Sequence, residues 1–257
     1  MAFELEDPYL NSALSEVALT LKNSLLSSGN VDVFLPIVTS PRFAPTIPDV
    51  TNFLTKSFPK VVSVDKTPHF IVALDPSLVR VDARIASSLE CNSPGSSFLA
   101  LVTILHGVAH ATRHEFVPAA IRGSCVVNDK DEWLNDPGYE VEHALFGGII
   151  GVAFAGSPTD PILPEISYFT LFTEDGYLYK IDLEKATSWI ENDELGPFDL
   201  EQLPKEDVAT EEVHLQTCAR VNTLCANVTG KFAFRSSEQR RRPPGPHWIF
   251  PRQRDRY

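Results

Sequence analysis

The stretch Ser96-Ser-Phe-Leu-Ala-Leu-Val-Thr-Ile-Leu-His-Gly-Val-Ala-His-Ala-Thr-Arg-His114 decides the architecture. Its apolar residues wrap nearly the whole circumference of a helix, the pattern of a rod that runs through a core rather than over a surface. The Ser pair after Pro94-Gly95 is the predicted N-cap. With histidines from its middle onward and fewer than the roughly 20 apolar residues a span needs, it makes a poor membrane segment. A buried helix of this kind needs other elements around it, and the flanking sequence supplies both types.

Downstream, the polar residues 128–132 lead to Asp136-Pro-Gly-Tyr-Glu-Val-Glu-His-Ala-Leu-Phe-Gly-Gly148. Asp before Pro is a helix start, and the glycines mark a helix end. Residues 166–182 alternate around Asp175-Gly176 and read as a β-hairpin. Upstream, Tyr9–Leu26 carries apolar residues at spacings of three and four, so a helix is predicted there, and further helices are predicted over 49–58 and 79–89. Runs 31–38 and 69–74 read as short strands, and 188–194 and 211–226 as helices. The expected fold class is α+β: a buried helix on a small mixed sheet with further helices.

The chain has 257 residues, 43% of them hydrophobic, and a formal charge of −12. That is enough apolar content for one large domain and too acidic for nucleic acid as the main partner. The charge is uneven. Residues 1–230 hold 14 basic and 32 acidic side chains, whereas 231–257 hold 8 and 2. The expected organisation is therefore one acidic α+β domain over 1–230 and a basic, Pro/Arg-rich tail over 231–257. The first residues lack the positive start and apolar core of a secretory signal, no run is long enough to span a membrane, and four irregularly spaced cysteines suit a reducing compartment. A cytoplasmic protein without a membrane partner is expected. No Gly-x-Gly-x-x-Gly phosphate loop or Gly-x-Ser-x-Gly elbow is present.

The chemistry is concentrated in the histidines. His106 and His110 are four apart, so their imidazoles leave one helix face a turn apart, as two ligands of one metal ion do. Thr103 and His114 fall within about 80° of His106 on the same face. A polar stripe on a buried rod requires compensation, because burying unpaired polar groups costs several kcal/mol. The alternatives are core histidines bonded to carbonyls or a metal site. A third ligand is expected from the helix that starts at Asp136, where Asp136, Tyr139, Glu140 and His143 share a face and Glu142 lies at the border of the apolar side. Glu142 is preferred, since a carboxylate pushed towards a core needs a cation. Tyr139, Glu140 and His143 are the candidate acids and bases around it.

Leu105-His-Gly-Val-Ala-His110, followed by Gly138-x-x-x-Glu142-x-x-Leu-Phe-Gly-Gly148, resembles the zincin-type metallopeptidase pattern. It is similar in particular to a group of poorly characterised fungal proteins with a Leu-His-Glu-x-x-His helix and a later Glu-x-x-Leu-Phe-Gly-Gly segment. The resemblance implies a zincin-like fold, zinc on His106 and His110, and Glu142 or Asp136 as the completing ligand. Two histidines and a carboxylate also suit iron, and copper if a further histidine joins.

The departure is at Gly107, where the pattern has the Glu that acts as general base. Losing a positioned base forfeits about 10²- to 10⁴-fold in rate. The expectation is a metal acting as Lewis acid on a small organic substrate, in a biosynthetic lyase, cyclase or hydrolase rather than a peptidase. A pseudo-peptidase binding module and a residual zinc metallopeptidase are the competing readings. Gly107 is expected to leave room for a substrate group over the metal.

Overall fold

The computed structural model describes residues 10–27, 29–39, 44–64, 77–117, 136–155, 162–173, 178–191 and 195–206. The predicted strand at 69–74, the helix at 211–226, the Asp175-Gly176 turn and the basic tail lie outside them. The described residues form seven α-helices and two small sheets, an α+β arrangement. No helix among them is long and apolar enough to cross a membrane.

Helix α1 (Leu10–Ser27) buries Leu14, Ala18, Leu21 and Leu25, one stripe at helical spacing. Residues 31–38 are helical, not the predicted strand: a 3-10 turn (Asn30–Phe34) runs into α2 (Leu35–Val38). Pro36 sits in the first turn of α2, where its fixed φ favours a helix and its missing N–H is no loss. Helix α3 (Ile47–Lys56) starts at a capping box, in which Asp49 Oδ2 accepts from the Thr46 backbone N–H (2.9 Å) and hydroxyl (2.7 Å).

Strand β1 (Lys60–Val64) pairs in parallel with β2 (Leu78–Asp82). The predicted helix at 79–89 thus divides: Leu78-Val-Arg-Val alternates as a strand, and α4 (Ala83–Glu90) begins where Asp82 Oδ1 caps the Arg84 N–H at 2.9 Å.

Helix α5 (Ser96–Phe116) is the central rod, buried on nearly every side as its composition requires. Its N-cap is Gly95 in the left-handed region (φ 77°), without a side-chain cap, so Ser96 lies inside the first turn. Helix α6 (Pro137–Phe146) packs on α5 and ends at Gly147 (φ 81°), and β3 (Ile149–Phe154) follows at once. Strands β3, β4 (Ile166–Phe172), β5 (Leu178–Ile181) and β6 (Lys205–Glu206) form an antiparallel sheet in that order, with α7 (Leu183–Glu191) between β5 and β6 in sequence. A bulge between Ala153 and Phe154 turns Ile166 onto the core face. Among the described residues there are therefore two unmixed sheets, where a single mixed one was expected.

The two sheets hold α5 near its start and at its middle. Phe98, near its start, meets Phe169 of β4 (4.8 Å), Trp189 of α7 (5.7 Å), Phe146 of α6 (6.1 Å) and Phe198 (6.3 Å), all edge to face. Such pairs contribute about 0.5–1.5 kcal/mol each beyond their burial. In the middle, Gly107 lies against β2, where a Cβ would come within 2.5 Å of Val79 Cγ1. The space beside Gly107 is thus filled by Val79 and is not the opening over a substrate that its sequence position suggested.

Gly to Ala inside a helix ordinarily stabilises by about 1 kcal/mol. Here the buried Val79 methyl opposes it, so Gly107→Ala is expected to destabilise by about 1–3 kcal/mol, as overpacked cores do. Adding Val79→Ala should recover part of the loss, and denaturant titration of the four members of that cycle measures the coupling.

Candidate metal centre

Helix periodicity brings the two imidazoles of α5 together. His106 Nε2 and His110 Nε2 are 3.3 Å apart, with ring centroids at 5.0 Å. The third corner is Asp136, the residue that starts α6. Its Oδ1 accepts the backbone N–H groups of Gly138 (2.8 Å) and Tyr139 (3.2 Å), an N-cap that also fixes its rotamer. The same oxygen lies 3.3 Å from His106 Nε2 and 3.4 Å from His110 Nε2. His106, His110 and Asp136 together could hold a metal ion.

The triangle has the dimensions of such a site. Ligand atoms about 2.0–2.1 Å from a tetrahedral ion stand about 3.3–3.4 Å apart, which is one face of the tetrahedron. Solvent reaches the group at one side: the side chains of His110 and Asp136 are 22% and 18% exposed, against 9% for His106.

His106 is held from behind. Its Nδ1 donates to Glu142 Oε1 at 3.0 Å, and Glu142 Oε2 accepts the Ile150 backbone N–H at 3.1 Å. Glu142 is 0% exposed. With its Nδ1 proton held on the carboxylate side, a neutral His106 would present its Nε2 lone pair to the triangle, the arrangement of carboxylate–histidine–metal chains. Nε2 and the Asp136 carboxylate are then two electron-rich atoms at 3.3 Å, which repel unless a proton or a metal ion lies between them. For Asp136, burial raises the carboxyl pKa, but the charges of His106 and His110, the His110 hydrogen bond and the Tyr139 N–H outweigh it, and the group is held far below the usual carboxylate range.

The preferred third ligand is thus differently placed from the sequence expectation. Glu142 stands behind His106 on its Nδ1 side, and Asp136, the other candidate, occupies the third corner. A helical wheel treats Asp136 as one more face position, whereas a capping residue leaves the helix axis and swings its carboxylate over the first turn. Tyr139 is buried with its ring against His106 (4.8 Å, 72°). Glu140 is one turn beyond Asp136 and partly buried. Burial raises its carboxyl pKa, Arg113 offsets part of the rise and Asp136 adds to it. His143 and His114 lie a turn further along α6 and α5, outside the group gathered at the triangle.

Gly138 is the functional position missed from the sequence. A Cβ there would overlap the His106 ring, so the bare Cα forms the seat of the imidazole. A signal existed, since glycine within the first turn of a helix costs stability for no local reason. No protein-family model, curated protein or solved structure matches this chain.

Gly138→Ala should displace His106 and abolish tight metal binding, whereas Glu142→Gln, which keeps shape but not charge, should weaken it by about 10- to 100-fold. Competition with a chromogenic zinc chelator reads both. Glu142→Leu should in addition lower stability by about 1–3 kcal/mol for each donor, His106 Nδ1–H and Ile150 N–H, left unpaired.

Proposed function

We propose that this chain is a mononuclear metal-dependent enzyme with His106, His110 and Asp136 as ligands, on a zincin-like scaffold that does not carry out ordinary peptide hydrolysis. The observation that carries this reading is the convergence of His106 Nε2, His110 Nε2 and the Asp136 carboxylate within 3.4 Å of one another, open to solvent on one side. Three protein ligands with one accessible side fit a catalytic ion better than a structural one, which is normally closed by four. Zinc is favoured by the resemblance of the Leu105–His110 segment to zincins, and the same ligand set suits iron. Such an ion would supply Lewis acidity, polarising an oxygen of a small organic substrate.

The chain's own residues must then move the proton. Position 107 is unable to supply the missing base, because its side-chain direction is taken by Val79. Glu140 is the better candidate: it lies one turn from Asp136 on the same helix, and burial raises its carboxyl pKa, the direction that favours proton exchange by a carboxyl group. Arg113, whose charge acts on Glu140, would help to hold an anionic group of a substrate. A lyase, cyclase or hydrolase of small-molecule metabolism fits these parts.

A second reading is a structural ion that pins α6 to α5, favoured by the packing of Gly138 and Tyr139 on the His106 ring. The two diverge on metal removal, since a structural ion contributes folding energy directly.

Protein purified without a histidine tag should contain about one equivalent of metal by elemental analysis, as a single three-ligand site requires. His106→Ala/His110→Ala and Asp136→Ala should lose it, and His143→Ala should keep it. Absence of metal from the parent would sink the proposal. Glu140→Gln should retain the metal and lose about 10²- to 10⁴-fold in hydrolysis of p-nitrophenyl acetate, a generic probe of a metal-activated nucleophile.

The same variant has a stability signature. A carboxyl whose folded-state pKa is raised contributes stability below its unfolded pKa and loses it as pH rises through the folded value. Glu140→Gln should therefore melt higher than the parent at neutral pH, with the difference shrinking towards pH 4.

A further inference from the structure

Exposure along the histidine face of α5 is graded. Thr103 is buried, the His106 and His110 side chains are 9% and 22% exposed, and Arg113, three residues beyond His110, is half-buried. At 100° per residue Arg113 lies about 20° from His106 around the helix, and about 4.5 Å beyond His110 along its axis. It therefore belongs to the same face as the two imidazoles. The facing wall is graded in the same sense: on α6, Tyr139 is buried against the His106 ring, Asp136 is partly exposed, and Glu140, one turn further, is half-buried. The two helices pack together, and the charge of Arg113 acts on Glu140 between them. Solvent thus meets the triangle from the side on which Arg113 and Glu140 stand, not from that of Thr103.

We infer that Arg113 sets the specificity of this site, and that its substrate is a small organic acid whose carboxylate the guanidinium takes while its reacting oxygen lies at His106, His110 and Asp136. The inference rests on the metal reading above and names a substrate class for it. A guanidinium stays charged at every pH at which the protein is folded, and its planar fork matches the two oxygens of a carboxylate. The charges at the site require such a cation if an anion is to bind. When ionised, Asp136, Glu140 and Glu142 are together balanced by a divalent ion and Arg113; without Arg113 an anionic substrate would meet a site of its own sign. Glu140, on the facing helix, draws the guanidinium towards the entrance. Arg113 binds and orients in this scheme, and the proton is left to other groups.

The test uses the zinc-loaded full chain and a pair of probes. Succinic monohydroxamic acid binds zinc through its hydroxamate and carries a carboxylate at the other end of a short chain; its neutral analogue has a carboxamide there. By titration calorimetry the parent is expected to prefer the acid by at least about tenfold, as a charge-assisted hydrogen bond gives. Arg113→Gln should abolish that preference while keeping its zinc and the parent's affinity for the carboxamide. Arg113→Lys, which keeps the charge and loses the fork, should retain only part of the preference. Equal affinities in the parent, or a preference that survives in Arg113→Gln, would overturn the inference and leave the metal reading standing. Should Arg113→Gln fail to hold zinc, Arg113→Lys decides, and a preference there equal to the parent's would overturn it. A parent that holds zinc but binds neither probe would overturn the inference in favour of a structural ion, and a parent that takes up no zinc would overturn both readings.

Discussion

The buried hydrogen bond between Glu142 and His106 is the constraint on which the rest depends. It joins three elements at one point: α5 through the imidazole, α6 through the carboxylate, and β3 through the Ile150 N–H that holds the second oxygen. A fully buried carboxylate is costly unless both oxygens are paired, so these three elements have few relative positions that satisfy it. The register of β3 against the two helices follows from that requirement. So does the orientation of the His106 ring, and with it the approach of Nε2 to Asp136.

Asp136 has two tasks in the same atom. As N-cap it starts α6, and as the third corner it faces both imidazoles. The positive end of the α6 dipole favours its ionised form, as do the histidines. Because one oxygen both caps the helix and faces the imidazoles, α6 cannot fray at its start without moving Asp136 away from His106 and His110. Gly138 and Gly107 are complementary: one lets α6 approach the His106 ring, the other lets β2 approach the back of α5, and between them the central helix is clamped.

Local sequence patterns anticipated elements whose stabilisation is local. The stripe of α1, the all-round apolar α5, the Asp-Pro start of α6 and the β4–β5 alternation are each visible within a window of about 20 residues, because period and capping chemistry act over that range. The failures share a cause. Residues 31–38 are β-branched and apolar, but Pro36 at a helix start and burial beneath α1 and α5 decide for a helix. Val79-Arg-Val81 became a strand through pairing with β1, a partner that a helical period read along its own residues does not see. At the site, His106 and His110 were legible from their spacing, whereas the ranking of Glu142 above Asp136 was not secure, since a wheel describes directions around one axis and says nothing of the neighbouring helix.

From its sequence alone, then, this protein is an α+β chain built around a buried helix that presents two histidines on one face, because 3.6-residue periodicity and apolar composition suffice to specify both. Which carboxylate joins them and which stands behind, why positions 107 and 138 must be glycine, and how two separate sheets grip the helix were decided only by the tertiary structure. The reason is distance: those outcomes rest on contacts between residues 26 to 91 positions apart, whose energies exist only once the helices and both sheets have been packed together.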